Sequence, residues 1–123
     1  MKTEAKTYDV RQRTYLYALE VVKFLETLPR DYIAQTIGKQ LLRSATSVGA
    51  NVVEARASSS RKDFANFYNY SLKSANESTF WLGLLQDSGK ASREAVEPLM
   101  TETRELSNIL ASSLLTMRGR RHF

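Results

Sequence analysis

A chain of 123 residues, 42% apolar and 25% charged, suits one domain spanning 1–123 with its own core. It has no cysteine, and its one histidine is His122. Disulfides, thiolate metal sites, His-rich metal clusters and a catalytic His dyad are therefore excluded, and neither a metal nor a cofactor is expected. The net charge is +5, with a further asymmetry: the terminal RGRRHF stretch is +3 by itself. That balance favours an acidic partner such as nucleic acid.

The opening MKTEAKTYDVRQR lacks an apolar run, so it reads as a short arm (residues 1–8) and not a secretory signal. No stretch approaches the ~18 apolar residues of a membrane span. A cytoplasmic protein without membrane contact is expected.

A first helix is predicted from Asp9, a good N-cap, to Leu28, where Pro29 disfavours helix in the preceding residue. Its apolar positions are read as Tyr15, Leu16, Leu19, Val22 and Leu25. A second helix is predicted over Asp31–Ala57. Ile33, Ile37, Leu41, Ala45, Val48 and Val52 step by three or four and make one face. After Ser58-Ser59-Ser60, a third helix begins with Ser60 and Asp63 in a capping-box arrangement. Its core face is Phe64, Phe67, Tyr68, Ser71, Ala75, Ser78, Leu82 and Leu85, and Gly89 stops it after Asp87. Ser92 caps a fourth, with Val96, Leu99, Thr103, Leu106, Leu110 and Met117 inward, followed by a basic tail at 118–123. Short connections make neighbours antiparallel, so the predicted fold is all-α: an up-down-up-down four-helix bundle.

At about 100° per residue, some helices carry a second apolar stripe. Leu42, Gly49 and Val53 lie off the core line of the second helix; Tyr70, Trp81 and Leu84 do so on the third. Surplus apolar surface points to an interface, so homo-oligomerisation is expected. Arg43, Asn51 and Glu54 form a polar stripe, read as a network tying the second helix to the third, with Arg43 paired to Glu77 or Glu54. No carboxylate pair, Gly-rich loop or nucleophile motif suggests catalysis, so the protein is read as a non-enzyme. Arg56, Arg61 and Lys62 around the second connection, and Arg118, Arg120 and Arg121 at the end, are the candidate phosphate contacts.

The segment QLLRSATSVGANVVEA, followed by SSSRKDFANFYNYSLKSANESTFWL, resembles a bacterial four-helix-bundle family. That family includes the proteins encoded in intervening sequences of 23S rRNA genes. Gln40, Leu41, Arg43, Ser47, Val48, Asn51, Val52 and Glu54 carry the first part of the pattern; Phe64, Phe67, Ser74, Glu77 and Leu82 carry the second. Leu42, Ala55 and Lys73 depart from it, standing where the pattern has Arg, Gly and Gly. The chain is also similar to the accessory variability determinant of diversity-generating retroelements. These resemblances imply a homopentameric ring of bundles. They imply an accessory role that binds RNA or RNA–DNA, or else a scaffold for a protein partner such as a reverse transcriptase.

Overall fold

The computed structural model describes residues 9–121. It contains four helices: α1 Val10–Leu25, α2 Tyr32–Ala57, α3 Arg61–Asp87 and α4 Arg93–Arg121. Residues 1–8, His122 and Phe123, and the side chains of Arg120 and Arg121, lie outside the described residues. The first residues of the basic end thus continue α4 instead of forming a tail.

Each helix starts on a side-chain cap. Asp9 accepts from the Gln12 N–H at 2.8 Å, Asp31 from Ala34 at 2.8 Å, Ser60 from Asp63 at 3.0 Å and Ser92 from Ala95 at 3.1 Å. Each bond satisfies one of the donors that a helix start leaves without a partner. α3 ends in a Schellman turn. Gly89 takes φ +78°, which only glycine adopts without a Cβ clash, and Lys90 N–H returns to the Leu85 carbonyl at 2.9 Å. α1 ends at Leu25, three residues before the predicted stop. Thr27 and Leu28 bond back only three residues, to Phe24 and Leu25, which tightens the last turn out of α geometry. Pro98 lies inside α4 and removes the bond to the Glu94 carbonyl.

Cross-helix pairs show the direction of each element. Arg43 meets Glu77, Ser44 meets Ser78 and Ser71 meets Val48, so α2 and α3 run antiparallel. Gly49 lies against Thr14 and Gly38 against Leu25 and Leu28, so α1 and α2 do too. Each helix packs on two neighbours, closing an all-α antiparallel bundle in which the α2–α3 contact is the most extensive and the α1–α4 contact the least.

The predicted core faces of α2 to α4 are largely inside, with three refinements. Ile33 is exposed and Ala34 takes its place; Ile37, Phe64, Phe67 and Met117 are half-buried; Leu114 joins the core. α1 is different. Its buried ladder is Thr14, Tyr17, Val21 and Phe24, continued by Leu28, while Tyr15, Leu19 and Val22 face outward. The predicted face was displaced because hydrophobicity alone gives no weight to Thr14 and Tyr17. Their hydroxyls are satisfied inside: Thr14 donates to the Arg11 carbonyl at 3.0 Å, and Tyr17 shares a 2.6 Å bond with Thr103. No buried side-chain nitrogen or oxygen lacks a partner among the described residues.

Small residues line the α2–α3 seam. Ser44 and Ser78 share a 2.8 Å hydrogen bond, and Ser71 donates to the Val48 carbonyl at 2.7 Å. A serine is short, so reaching the backbone of a facing helix brings the two axes to the near end of the usual 8–10 Å range. Replacing Ser44 by Leu forces this seam apart and should lower unfolding free energy by roughly 1–3 kcal/mol. Ser71→Ala loses one hydrogen bond and should cost about 1 kcal/mol. Urea titrations followed by circular dichroism will read both, with the larger loss expected for Ser44→Leu.

Candidate nucleic-acid interface

Arg56 sits in the last turn of α2, and the chain passes through Ser58, Ser59 and Ser60 straight into α3. Ser58 is extended and donates to the Ala55 carbonyl at 2.6 Å; Ser60 is the cap of α3. Arg61 and Lys62 therefore occupy the first turn of α3. α4 is 29 residues long and antiparallel to α3, so its C-terminal turns arrive beside that first turn, carrying Arg118. Arg56, Arg61, Lys62 and Arg118, from three helices, thus gather at one end of the bundle. All four are exposed, and none has a carboxylate partner among the described residues.

Two hollows open there. One, about 530 Å³, lies between α3 and α4 and is lined by Arg61, Lys62, Asn66, Asn69, Met117 and Arg118, with Ala65 and Leu114 on its floor. The other, about 390 Å³, lies under Arg56 and the serine connection and shares Arg61 and Met117 with the first. Phe64 stacks on Tyr68 at 4.7 Å beneath this end. Burial raises the Tyr68 hydroxyl pKa, with nearby Arg56 opposing and Asp9 adding to the rise. Asn66, Asn69 and Leu114 are not singled out by the sequence, and Met117 is expected only as a core residue. The signal available was spacing: Lys62, Asn66 and Asn69, four and three apart, share one helix face.

Several cations elsewhere are paired, while Arg11, Arg30, Lys39, Lys73 and Arg104 have no carboxylate partner among the described residues. Arg13 grips Glu102 at 2.7 and 2.9 Å and also meets Glu105, holding α1 on α4. Its pKa is raised chiefly by the Glu102 bond, against partial burial. Lys90 meets Asp31 at 3.2 Å across the opposite end. Arg43 bonds Gln40 at 3.0 Å and meets Glu77, which accepts from the Trp81 indole at 2.9 Å. The polar stripe of α2 does not act as one unit. Asn51 donates within its own helix, to the Ser47 carbonyl at 2.9 Å, and Glu54 is exposed. Antiparallel register sets both beside Phe67 and Tyr68, where α3 offers no carboxylate.

The candidate interface residues also separate. Leu42, Gly49 and Val53 run along α2 beside the outward residues of α1, Tyr15, Leu19 and Val22. Tyr15, Gly49 and Val53 line an apolar groove of about 790 Å³ between α1 and α2. Tyr70 and Leu84 are exposed on α3, whereas Trp81 is half-buried against the core and held by Glu77. Among the described residues, no three His, Asp or Glu side chains are grouped to hold a metal ion, and no helix is long and apolar enough to cross a membrane.

The family model of the 23S rRNA-intervening sequence protein matches residues 6–112. A solved structure from Bacteroides thetaiotaomicron, described as a protein of unknown function from the S23 ribosomal protein family, is 36% identical. The alignment covers 86% of this chain and 98% of that one, with a TM-score of 0.78. No curated protein matches significantly. The chain belongs to the 23S rRNA-intervening sequence protein family.

The Glu77 carboxyl is held below its ordinary value of 4.5, first by the Trp81 indole and then by Arg43, with desolvation opposing. A lowered folded pKa contributes stability that is present above the unfolded value and is lost as pH falls through the folded one. Trp81→Phe removes the largest contribution, so the Glu77 pKa should rise toward 4.5, as an NMR carboxyl titration will show.

Proposed function

We propose that this protein is a non-enzymatic, homo-oligomeric accessory factor that binds nucleic acid, RNA foremost, through the basic end of each bundle. The observation that carries the reading is the gathering of Arg56, Arg61, Lys62 and Arg118 without carboxylate partners, while Arg13, Arg43 and Lys90 are paired. Two of the four also stand in the first turn of α3, the positive end of its dipole, where each cation costs about 0.3–1 kcal/mol. An approaching phosphate relieves that repulsion and meets exposed N–H groups of the same turn.

The non-enzymatic part rests on the chemistry available. With no cysteine and His122 as the lone histidine, the chain offers none of the usual bases or nucleophiles poised near neutral pH. The oligomeric part rests on the outer α1–α2 face, where Tyr15, Leu19, Val22, Leu42 and Val53 are all exposed. Five copies is the number that the family resemblance implies.

Fluorescence anisotropy with a structured RNA should show affinity falling linearly with salt on logarithmic axes, about 0.9 per phosphate contacted. Reversing two charges, Arg61→Glu with Lys62→Glu, should reduce that slope by about 2 and weaken binding at least about tenfold. No binding at low salt overturns the reading. Partner protein retained after nuclease digestion, a reverse transcriptase for instance, would favour a protein scaffold instead.

Light scattering reads the assembly separately. The wild type should be oligomeric at micromolar concentration, and Tyr15→Glu with Val53→Glu should reduce it to monomers without loss of helix content.

A further inference from the structure

We infer that the groove between α3 and α4 receives a single unstacked nucleobase, so that the protein prefers single-stranded nucleic acid to duplex. This rests on the phosphate-binding reading of the same end and adds the form of the ligand. A site for phosphate alone needs only cations. This groove has a different make-up: an apolar floor of Leu114, buried, and Met117, half-buried, beneath a polar rim. Its volume of about 530 Å³ falls within the ~300–1,000 Å³ of small-ligand sites.

The rim sorts by chemistry. Asn66 and Asn69 present two carboxamides on one side. Asn51 bonds a backbone carbonyl and Asn76 is met by Ser107, whereas neither Asn66 nor Asn69 has a side-chain partner among the described residues. A carboxamide offers a donor beside an acceptor, and every base edge presents a complement to that pair. Arg61, Lys62 and Arg118 stand at the mouth, where the attached phosphate would lie. Arg61 also lines the adjoining hollow with Arg56, so a strand can carry its next phosphate from one to the other.

A base in a duplex cannot enter such a recess without leaving its stack and its pair, whereas an unpaired base enters at little cost. The face of the base then rests on Met117, whose thioether packs well on aromatic rings. The amides can satisfy any base, so strand form is discriminated and base identity is not. Leu114, Met117 and Arg118 all lie beyond the 6–112 segment that matches the family model, so the α4 wall of this groove is built from outside that segment.

The test compares a 5′-labelled 12-nucleotide RNA, free and in a blunt duplex, by anisotropy at one salt concentration. Wild-type protein should favour the single strand by about tenfold or more. Asn66→Ala with Asn69→Ala, both replacements favouring helix, should keep the duplex affinity and salt slope and reduce the preference to about twofold. Equal wild-type affinity for both forms overturns the base pocket and leaves the phosphate reading standing. A preference that survives in the double variant also overturns it, because the amides then do not hold the base. Binding to neither form overturns both readings together.

Discussion

The bond from Ser71 to the Val48 carbonyl expresses the constraint on which this bundle depends: α2 and α3 lie too close for large side chains between them. Ser44, Ala45, Ala75 and Ser78 fill the seam because nothing larger fits. Dispersion contacts between backbones and short side chains replace the interdigitated leucines of a wider bundle. The hydroxyls bond one another and the facing backbone, so the seam is polar in atoms yet leaves no buried group unpaired. Such a seam also fixes register. Sliding by one turn would take Ser71 from the Val48 carbonyl and part Ser44 from Ser78, at a cost of about 1 kcal/mol for each bond lost.

With α2 and α3 set, α1 and α4 are positioned by fewer contacts of a different kind. Gly49 lets Thr14 come within 3.1 Å of where a Cβ would stand, which seats α1 on α2. Tyr17 and Thr103 join α1 to α4 inside, and Arg13 with Glu102 and Glu105 joins them at the surface. α1 has 16 residues against 26 to 29 in the others. Its N-terminus stops beside the last turns of α2, so among the described residues α2, α3 and α4 extend past it at that end. The basic hollows lie there, where Met117 is only half covered.

Charge follows the same division. Arg13 and Arg43 find carboxylates on neighbouring helices and help to hold them together, while Lys23 and Arg93 pair within their own helices. The four cations at the basic end have no carboxylate partner among the described residues, although Asp63 shares the first turn of α3 with Arg61 and Lys62. Cations gathered from three helices raise the local positive potential, which favours an anion there.

The helix number, three of the four caps and most of the inner faces of α2 to α4 were legible in the sequence, because caps and a three–four apolar repeat are local properties. The face of α1 was not. Thr14 and Tyr17 are buried only because Arg11 and Thr103 receive their hydroxyls, and Thr103 is a partner 86 residues away. The polar stripe of α2 showed the same limit. Its spacing was plain, but whether Arg43, Asn51 and Glu54 act together depended on what α3 set opposite them. The cations at 56, 61, 62 and 118 could be named from the chain, as residues capable of holding phosphate. That they surround one end, with Asn66, Asn69 and Met117 between them, was decided by the antiparallel return of α4. Periodicity places a side chain on a face of its own helix, and only packing determines what that face meets.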